Sequence, residues 1–429
     1  MKILVFTVTA WNSKVGANTW ETLLEQYGSE NVANVCIRDE IPDSKVCSKY
    51  FAISENKIIK SIFNRRIKTG KEILAGNVNI ESEEDLALHD QLYAKYRKKR
   101  SYFYLMAREL VWKLGKWRTK EFDNFLDEFK PDVILHSMEG YIHLNRIINY
   151  AIKRTKAKAV GYIWDDNFSY KQSSSLGFKI YRFFQRKSLK RLSKKTQAFF
   201  AISSKTKVEA DKFFGINSTV VTKPIDEVLL PTDYTKVDFP LKFIYTGNLL
   251  IGRDRSLLKI NNCLNQIPEA KDKVKIEVYT QTKLDENMIK MLEGDFCQVN
   301  PAVPQEEALQ KQKEADVLLF LEDIDGKDAK TARLSFSTKI TDYLSCGKCI
   351  FAVGCLDTAP MQYFKENDIA LVAGKENEIK ENFRIVLQET KSLNKYADNV
   401  YVVAKDKHNK EKILQIVRQT LDNVVSKTK

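Results

Sequence analysis

Short apolar runs that each lead into a loop and then a helix recur along this chain in two series. That alternation limits the possible folds more than any other feature. The first series holds "KILVFTVTA" (2–10), "NVANVCI" (31–37), "PDVILHSM" (131–138), "KAVGYIWDD" (158–166) and "QAFFAIS" (197–203). Near-continuous apolar strands of this length are buried on both faces, as in a parallel sheet covered by helices. The segment "KPIDEVLLPTDYTKVDFP" (223–240) has three prolines and little periodicity, so it reads as a linker. The pattern then restarts with "LKFIYTGNL" (241–249), "VKIEVYT" (274–280), "DVLLFLE" (316–322) and "CIFAVG" (349–354). The spacing predicts an α/β fold class with two doubly wound, Rossmann-like domains facing a central cleft. The first domain covers 1–225, a linker 226–240 and the second domain 241–407. The last helix, about 408–429, is free to pack back on the first domain. Residues 55–125 read as helical and basic.

The 70 Lys and Arg outnumber the 56 Asp and Glu, giving a net charge of +14 over 429 residues. Such an excess suits an anionic partner: nucleic acid, an anionic lipid surface or a phosphorylated substrate. Seven scattered cysteines argue against a disulfide scaffold. The opening "MKILVFTVTAW" lacks the marks of a signal peptide, and no run is long enough for a membrane span. The expectation is therefore a cytoplasmic protein, peripheral on the inner face of the plasma membrane if a basic helix docks there.

The most informative stretch is "SFSTKITDYLSCGKCIFAVG" (335–354). Cys346 and Cys349 form a C-x-x-C pair, but at a helix end rather than a helix start. There is no second ligand pair, and the four His are scattered, so both cysteines read as small buried residues. Ser335, Ser337, Thr338 and Lys339 precede a helix, where free N–H groups and a full charge favour phosphate. Asp342, one turn on, can face a sugar hydroxyl. The competing reading makes Ser337 or Thr338 a helix cap and Lys339 a solvated charge. In "FIYTGNLLIGRDRSLL" (243–258), Gly247 and Asn248 end a strand, and Arg253 and Arg255 lie at the next helix start. Arginine forks suit phosphate, and ligands of doubly wound sheets bind beyond the strands' carboxyl ends.

"YTGNL…GRDRSLL", "ADVLLFLED" and "SFSTKITDYLSCGKCIFAVG" together resemble the second domain of GT-B fold glycosyltransferases. They look most like glycosyltransferase family 4 members of bacterial capsule and exopolysaccharide synthesis. The first half, with "VGANTWETLLEQYGSENVANVCIRDE" and "GYIWDDN", resembles their acceptor-side domain. The resemblance implies a nucleotide-sugar-dependent enzyme that transfers a sugar to a glycan or lipid-linked acceptor, with retention and without a metal or other cofactor. It implies donor binding by Gly247, Asn248, Arg253, Ser337, Thr338, Lys339 and Asp342. Arg253 and Lys339 would hold the diphosphate and Asp342 the ribose. The family's spaced pair of Glu is incomplete here: Leu334 stands where the first would fall, and Asp342 replaces the second. A non-catalytic GT-B-like partner in a glycan-assembly complex is the alternative.

On the acceptor side, Gly16 either admits a backbone close to the acceptor or serves a tight turn. His136, Glu139, Asp165 and Asp166 stand at strand ends, where a side chain can take or orient a hydroxyl proton. Of these, His136 and Asp166 are the catalytic candidates, against a structural reading for each. Asp165, Asp166 and Asn167 only superficially resemble a metal-binding Asp-x-Asp motif. "DIDGKD" (323–328) lacks a full calcium loop. Residues 176–195 form a basic amphipathic helix without an acid. It is either a solvated face or a docking surface for anionic lipid. No nucleic-acid motif accompanies the charge.

Overall fold

The computed structural model describes residues 1–12, 19–38, 42–74, 102–326 and 328–426. Gly16 lies outside the described residues. The chain divides into two compact units, Met1–Thr222 with Leu414–Lys429, and Lys223–Ile413.

The first unit is built on an eight-stranded sheet: β1 (Ile3–Thr7), β2 (Val32–Cys36), β3 (Lys49–Ile53), β4 (Gly70–Leu74), β5 (Val133–Ser137), β6 (Lys158–Ile163), β7 (Ala198–Ala201) and β8 (Thr219–Val220). Their order is β4-β3-β2-β1-β5-β6-β7-β8. All neighbours are parallel except β3 and β4. The apolar runs explain this layout, since β1, β2 and β5 are buried along their whole length between helices. Residues 70–74, expected to be helical, are instead the antiparallel edge strand β4. The sheet reverses its winding between β1 and β5, so the loops that follow these two strands part at one edge.

The second unit carries an all-parallel six-stranded sheet: β9 (Leu241–Thr246), β10 (Val274–Thr280), β11 (Cys297–Pro301), β12 (Val317–Leu321), β13 (Cys349–Val353) and β14 (Ala370–Ala373). The order is β11-β10-β9-β12-β13-β14. Separate apolar cores cover its two faces, one around Phe243, Phe351 and Phe383, the other around Ile244, Phe320 and Phe364. Winding reverses between β9 and β12. The segment from Lys223 to Pro240 packs on this unit. Leu229 N–H donates to Ser345 O, Thr232 N–H donates to Gly347 O, and the buried Tyr234 hydroxyl donates to Asp316 O at 2.5 Å. Gly347 makes this close approach possible: its φ is +61°, and a Cβ there would meet Leu230 O at 2.5 Å. The helix Lys410–Ser426 leaves the second unit and joins the first at Leu414, where Arg418 Nε donates to Gln26 Oε1 at 3.1 Å.

Among the described residues no helix is long and apolar enough to cross a membrane.

Candidate functional site

The second unit's candidate site grows from the winding reversal. β9 ends at Thr246, and Gly247 follows with φ +133°, a conformation open to glycine. A Cβ at Gly247 would lie 2.5 Å from Lys339 Nζ, so the missing side chain is what lets the ammonium reach this strand end. Lys339 Nζ donates to the Tyr245 hydroxyl at 3.1 Å and sits 4.4 Å from the centre of its ring. The Tyr245 hydroxyl in turn donates to Asn248 O at 2.6 Å, tying the loop to the strand.

Arg253 is the first residue of the helix Arg253–Leu264. Its Nε donates to Leu321 O at 3.1 Å, one terminal nitrogen to Asn248 Oδ1 at 2.8 Å, and the other to Glu322 Oε1 at 2.9 Å. Three of the five guanidinium N–H groups are thus used in fixing its plane. Glu322 follows β12 directly and is itself nearly buried. The two cations are close enough to affect each other. Burial, and then the Arg253 charge, push the Lys339 ammonium down to about 7, while Glu322 and Asp342 pull it back up.

The remaining donor-side candidates take different places. Ser337 Oγ accepts the Lys339 N–H at 3.3 Å, whereas Thr338 is exposed and its side chain does not cap the helix Lys339–Ser345. That helix is seven residues long, so the charge of Lys339 weighs more here than the helix end. Asp342 pairs with Lys223 Nζ at 2.9 Å. Arg255 is drawn away from the site by Asp323 at 3.2 Å and Asp328 at 2.7 Å. The fully buried Asp323 also accepts the N–H groups of Asp325, Asp328 and Ala329, which folds the acidic loop on itself. Among the described residues no cluster of His, Cys, Asp or Glu is arranged to hold a metal ion. The thiols of Cys346 and Cys349 are buried and pushed up, Cys346 to about 11, which leaves little thiolate for redox or metal chemistry.

In the first unit the strand-end residues separate clearly. His136 is fully buried inside β5, where its Nε2 meets Thr196 Oγ1 at 3.1 Å. Burial lowers it to about 4, so it is a neutral core residue rather than a catalytic group at the sheet edge. Asp166 is also buried. It accepts the Ser169 N–H at 2.9 Å and the Ser169 hydroxyl at 2.5 Å, which closes a turn. Glu139, partly exposed just beyond β5, differs from both. Burial, and then the charge of Asp165, raise its carboxyl to about 7, against the opposing pull of Trp164 and Arg38. A carboxyl poised near neutrality suits proton transfer.

Sequence reasoning missed Tyr245 and Glu322. The available signal for Glu322 was a carboxylate placed directly after the five apolar residues of β12, at the sheet's carboxyl edge.

Comparison with solved structures places this architecture. HepE of Anabaena in complex with UDP matches with a TM-score of 0.62 at 12% identity, over 99% of this chain and 100% of that one. Sucrose-phosphate synthase of Thermosynechococcus elongatus matches with a TM-score of 0.61 at 10% identity, over the full length of both chains. The chain has the GT-B fold. A third GT-B structure, α,α-trehalose 6-phosphate synthase of Burkholderia multivorans, matches with a TM-score of 0.60 at 9% identity, over 99% and 96%. No family model matches the sequence, and no curated protein matches it either. At these identities the GT-B likeness is one of fold.

Proposed function

We propose that the protein is a glycosyltransferase that moves a sugar from a nucleotide-sugar donor to a glycan or lipid-linked acceptor, in bacterial surface polysaccharide synthesis. The observation that carries this reading is the meeting of Lys339 and Arg253 at the end of β9, where a glycine lets the Lys339 ammonium come in close. Cleaving a sugar–phosphate bond builds negative charge on the leaving diphosphate, and fixed cations placed there lower the barrier. Arg253 keeps two N–H groups beyond those that orient it, and Lys339 adds a movable charge. The reading assigns Gly247, Asn248, Ser337 and Thr338 to the donor's surroundings and Asp342 to the ribose, once Lys223 yields its hold. It needs no metal, and the outcome is retention. UDP is the first nucleotide to try, because HepE was crystallised with UDP and with UDP-glucose.

On the acceptor side the reading replaces His136 and Asp166 with Glu139, with Asp165 holding its carboxyl protonatable near neutral pH. Glu139→Gln is expected to lower transfer by about 10²-fold while UDP binding stays unchanged. Equal transfer rates in the two chains would remove Glu139 from the mechanism. Helix 176–195 is the part of this reading that meets an anionic membrane surface.

Thermal-shift measurements with UDP, GDP, ADP and CMP, together with donor-hydrolysis and transfer assays, test the function. Stabilisation by one nucleoside diphosphate together with turnover supports it, and a flat response to all four with no turnover sinks it. One observation favours the second reading, a non-catalytic GT-B-like partner: Arg253 is already neutralised by Glu322, as in a purely structural ion pair. That reading predicts no turnover and no effect of Lys339→Ala in cells.

A further inference from the structure

In the first unit, helix Tyr102–Leu114 lies between two others. At its start Tyr102 packs edge-on against Phe178 of helix Leu176–Ser193, with ring centroids 5.6 Å apart. At its end Gly115 is so close to helix Glu55–Phe63 that a Cβ would meet Ile58 Cγ2 at 2.4 Å.

The two acids on these three helices, Glu55 and Glu109, both face inward and are partnered. Arg108 donates through Nε and a terminal nitrogen to the two oxygens of Glu55 at 2.6 and 2.5 Å. Glu109 accepts the Ile142 N–H at 3.0 Å and meets His143 Nδ1 at 2.9 Å. Helix Leu176–Ser193 buries Phe178, Tyr181, Leu189 and Leu192, so only part of its apolar content is core.

The outward faces are apolar and basic. These helices hold eleven of the twenty-one exposed large hydrophobic side chains among the described residues. Phe63 is 89% exposed, Phe103 75%, Leu176 73% and Phe183 55%. On helix Tyr102–Leu114 the exposed residues follow helical spacing, in a stripe from Phe103 to Leu114. A second stripe, from Leu176 to Phe184, occupies the first half of the neighbouring helix. The exposed charges around them are Lys60, Lys113, Lys179, Lys187, Lys190 and Arg191, with no exposed acid on any of the three helices. Exposed apolar side chains gathered in stripes mark interaction sites. Nucleic acid would use the cations and leave the phenyl and leucyl groups in water. A lipid surface uses both, the cations against headgroup phosphates and the apolar stripes in the acyl boundary.

We propose that this three-helix face docks on an anionic lipid bilayer, with Phe63, Phe103, Phe183 and Phe184 entering the boundary between headgroups and acyl chains. This extends the anionic-surface part of the function above from one helix to a composite face, and it does not depend on sugar transfer.

Sedimentation of the full chain with vesicles of phosphatidylcholine alone, or of phosphatidylcholine with phosphatidylglycerol, tests it. Binding is expected to the second kind only. Phe103→Ser and Phe183→Ser should each lower the partition coefficient by about tenfold, and Lys187→Ser by about fivefold. The melting point and the response to UDP should not change, because all three side chains are exposed. Absence of binding to the anionic vesicles, or equal binding to both kinds, overturns the proposal. So does a dimer in solution that the serine variants break, which would make a second copy the occupant. Vesicle binding with a flat response to UDP, GDP, ADP and CMP and no turnover would leave this proposal standing and remove the sugar-transfer reading.

Discussion

Lys339→Ala is expected to abolish stabilisation by a nucleoside diphosphate and to lower donor turnover by about 10²–10³-fold, the usual effect of removing one group that faces developing charge. The fold should survive, because the change relieves repulsion from Arg253 and breaks no ion pair of the Lys339 side chain. The same geometry sets a pH dependence. The ammonium is depressed to about 7, so its positive charge is present below that pH and is lost as pH rises through it. Diphosphate affinity of the parent chain should therefore fall as pH rises through about 7. In Lys339→Ala that component of the slope should vanish, which separates the lysine's titration from that of the ligand. The stability sign is opposite. A lysine lowered in the folded chain favours the unfolded, protonated chain at acid pH, so its contribution to stability improves between about 7 and the ordinary lysine range. Titrations of UDP across this range in both chains check the sign.

Glu322→Ala is expected to give the largest loss of stability of any single change at the site. The Arg253 and Glu322 side chains are 12% and 6% exposed, and removing the carboxylate leaves a buried guanidinium without its counter-charge. Breaking such a pair costs about 3–5 kcal/mol. For a unit of this size that corresponds to a melting point lower by on the order of 10 °C. Glu322→Gln keeps an acceptor for the Arg253 N–H and should lose less. A diphosphate bound beside Arg253 would replace the missing negative charge, so UDP should stabilise Glu322→Ala more than the parent chain. An unchanged melting point would show that the pair contributes little. Equal UDP shifts in the two chains would place the ligand away from Arg253.

Most of the sheet strands buried on both sides were legible. The runs forming β1, β2, β5, β9, β12 and β13 are mostly apolar and, Lys242 apart, buried along their length. β3, β8, β11 and β14 escaped: β3 is a five-residue strand opening on a lysine, β8 has two residues, β14 has four, and "CQVNP" is partly exposed. The antiparallel strand β4 was hidden because "GKEIL" at an edge has no two-sided burial to reveal it.

At the site, sequence brought Lys339, Gly247 and Arg253 forward through residue type and position after strands. Residue type and position did not separate Arg253 from Arg255; only the family resemblance singled out Arg253, because the difference depends on which carboxylates each meets. Arg255 is held by Asp323 and Asp328, while Arg253 is oriented by Glu322, which lies 69 residues away in sequence. The pairing of Asp342 with Lys223 spans 119 residues and was equally invisible. His136 looked chemical in a list of strand ends, but β5 is buried along its whole length and His136 with it.

Calorimetric titration of UDP into the parent chain and into Lys339→Ala decides whether a nucleotide-sugar diphosphate binds between Lys339 and Arg253. Saturable binding of one UDP per parent chain is expected, and none to a Lys339→Ala chain that melts normally. Equal binding of UDP to both chains would contradict it.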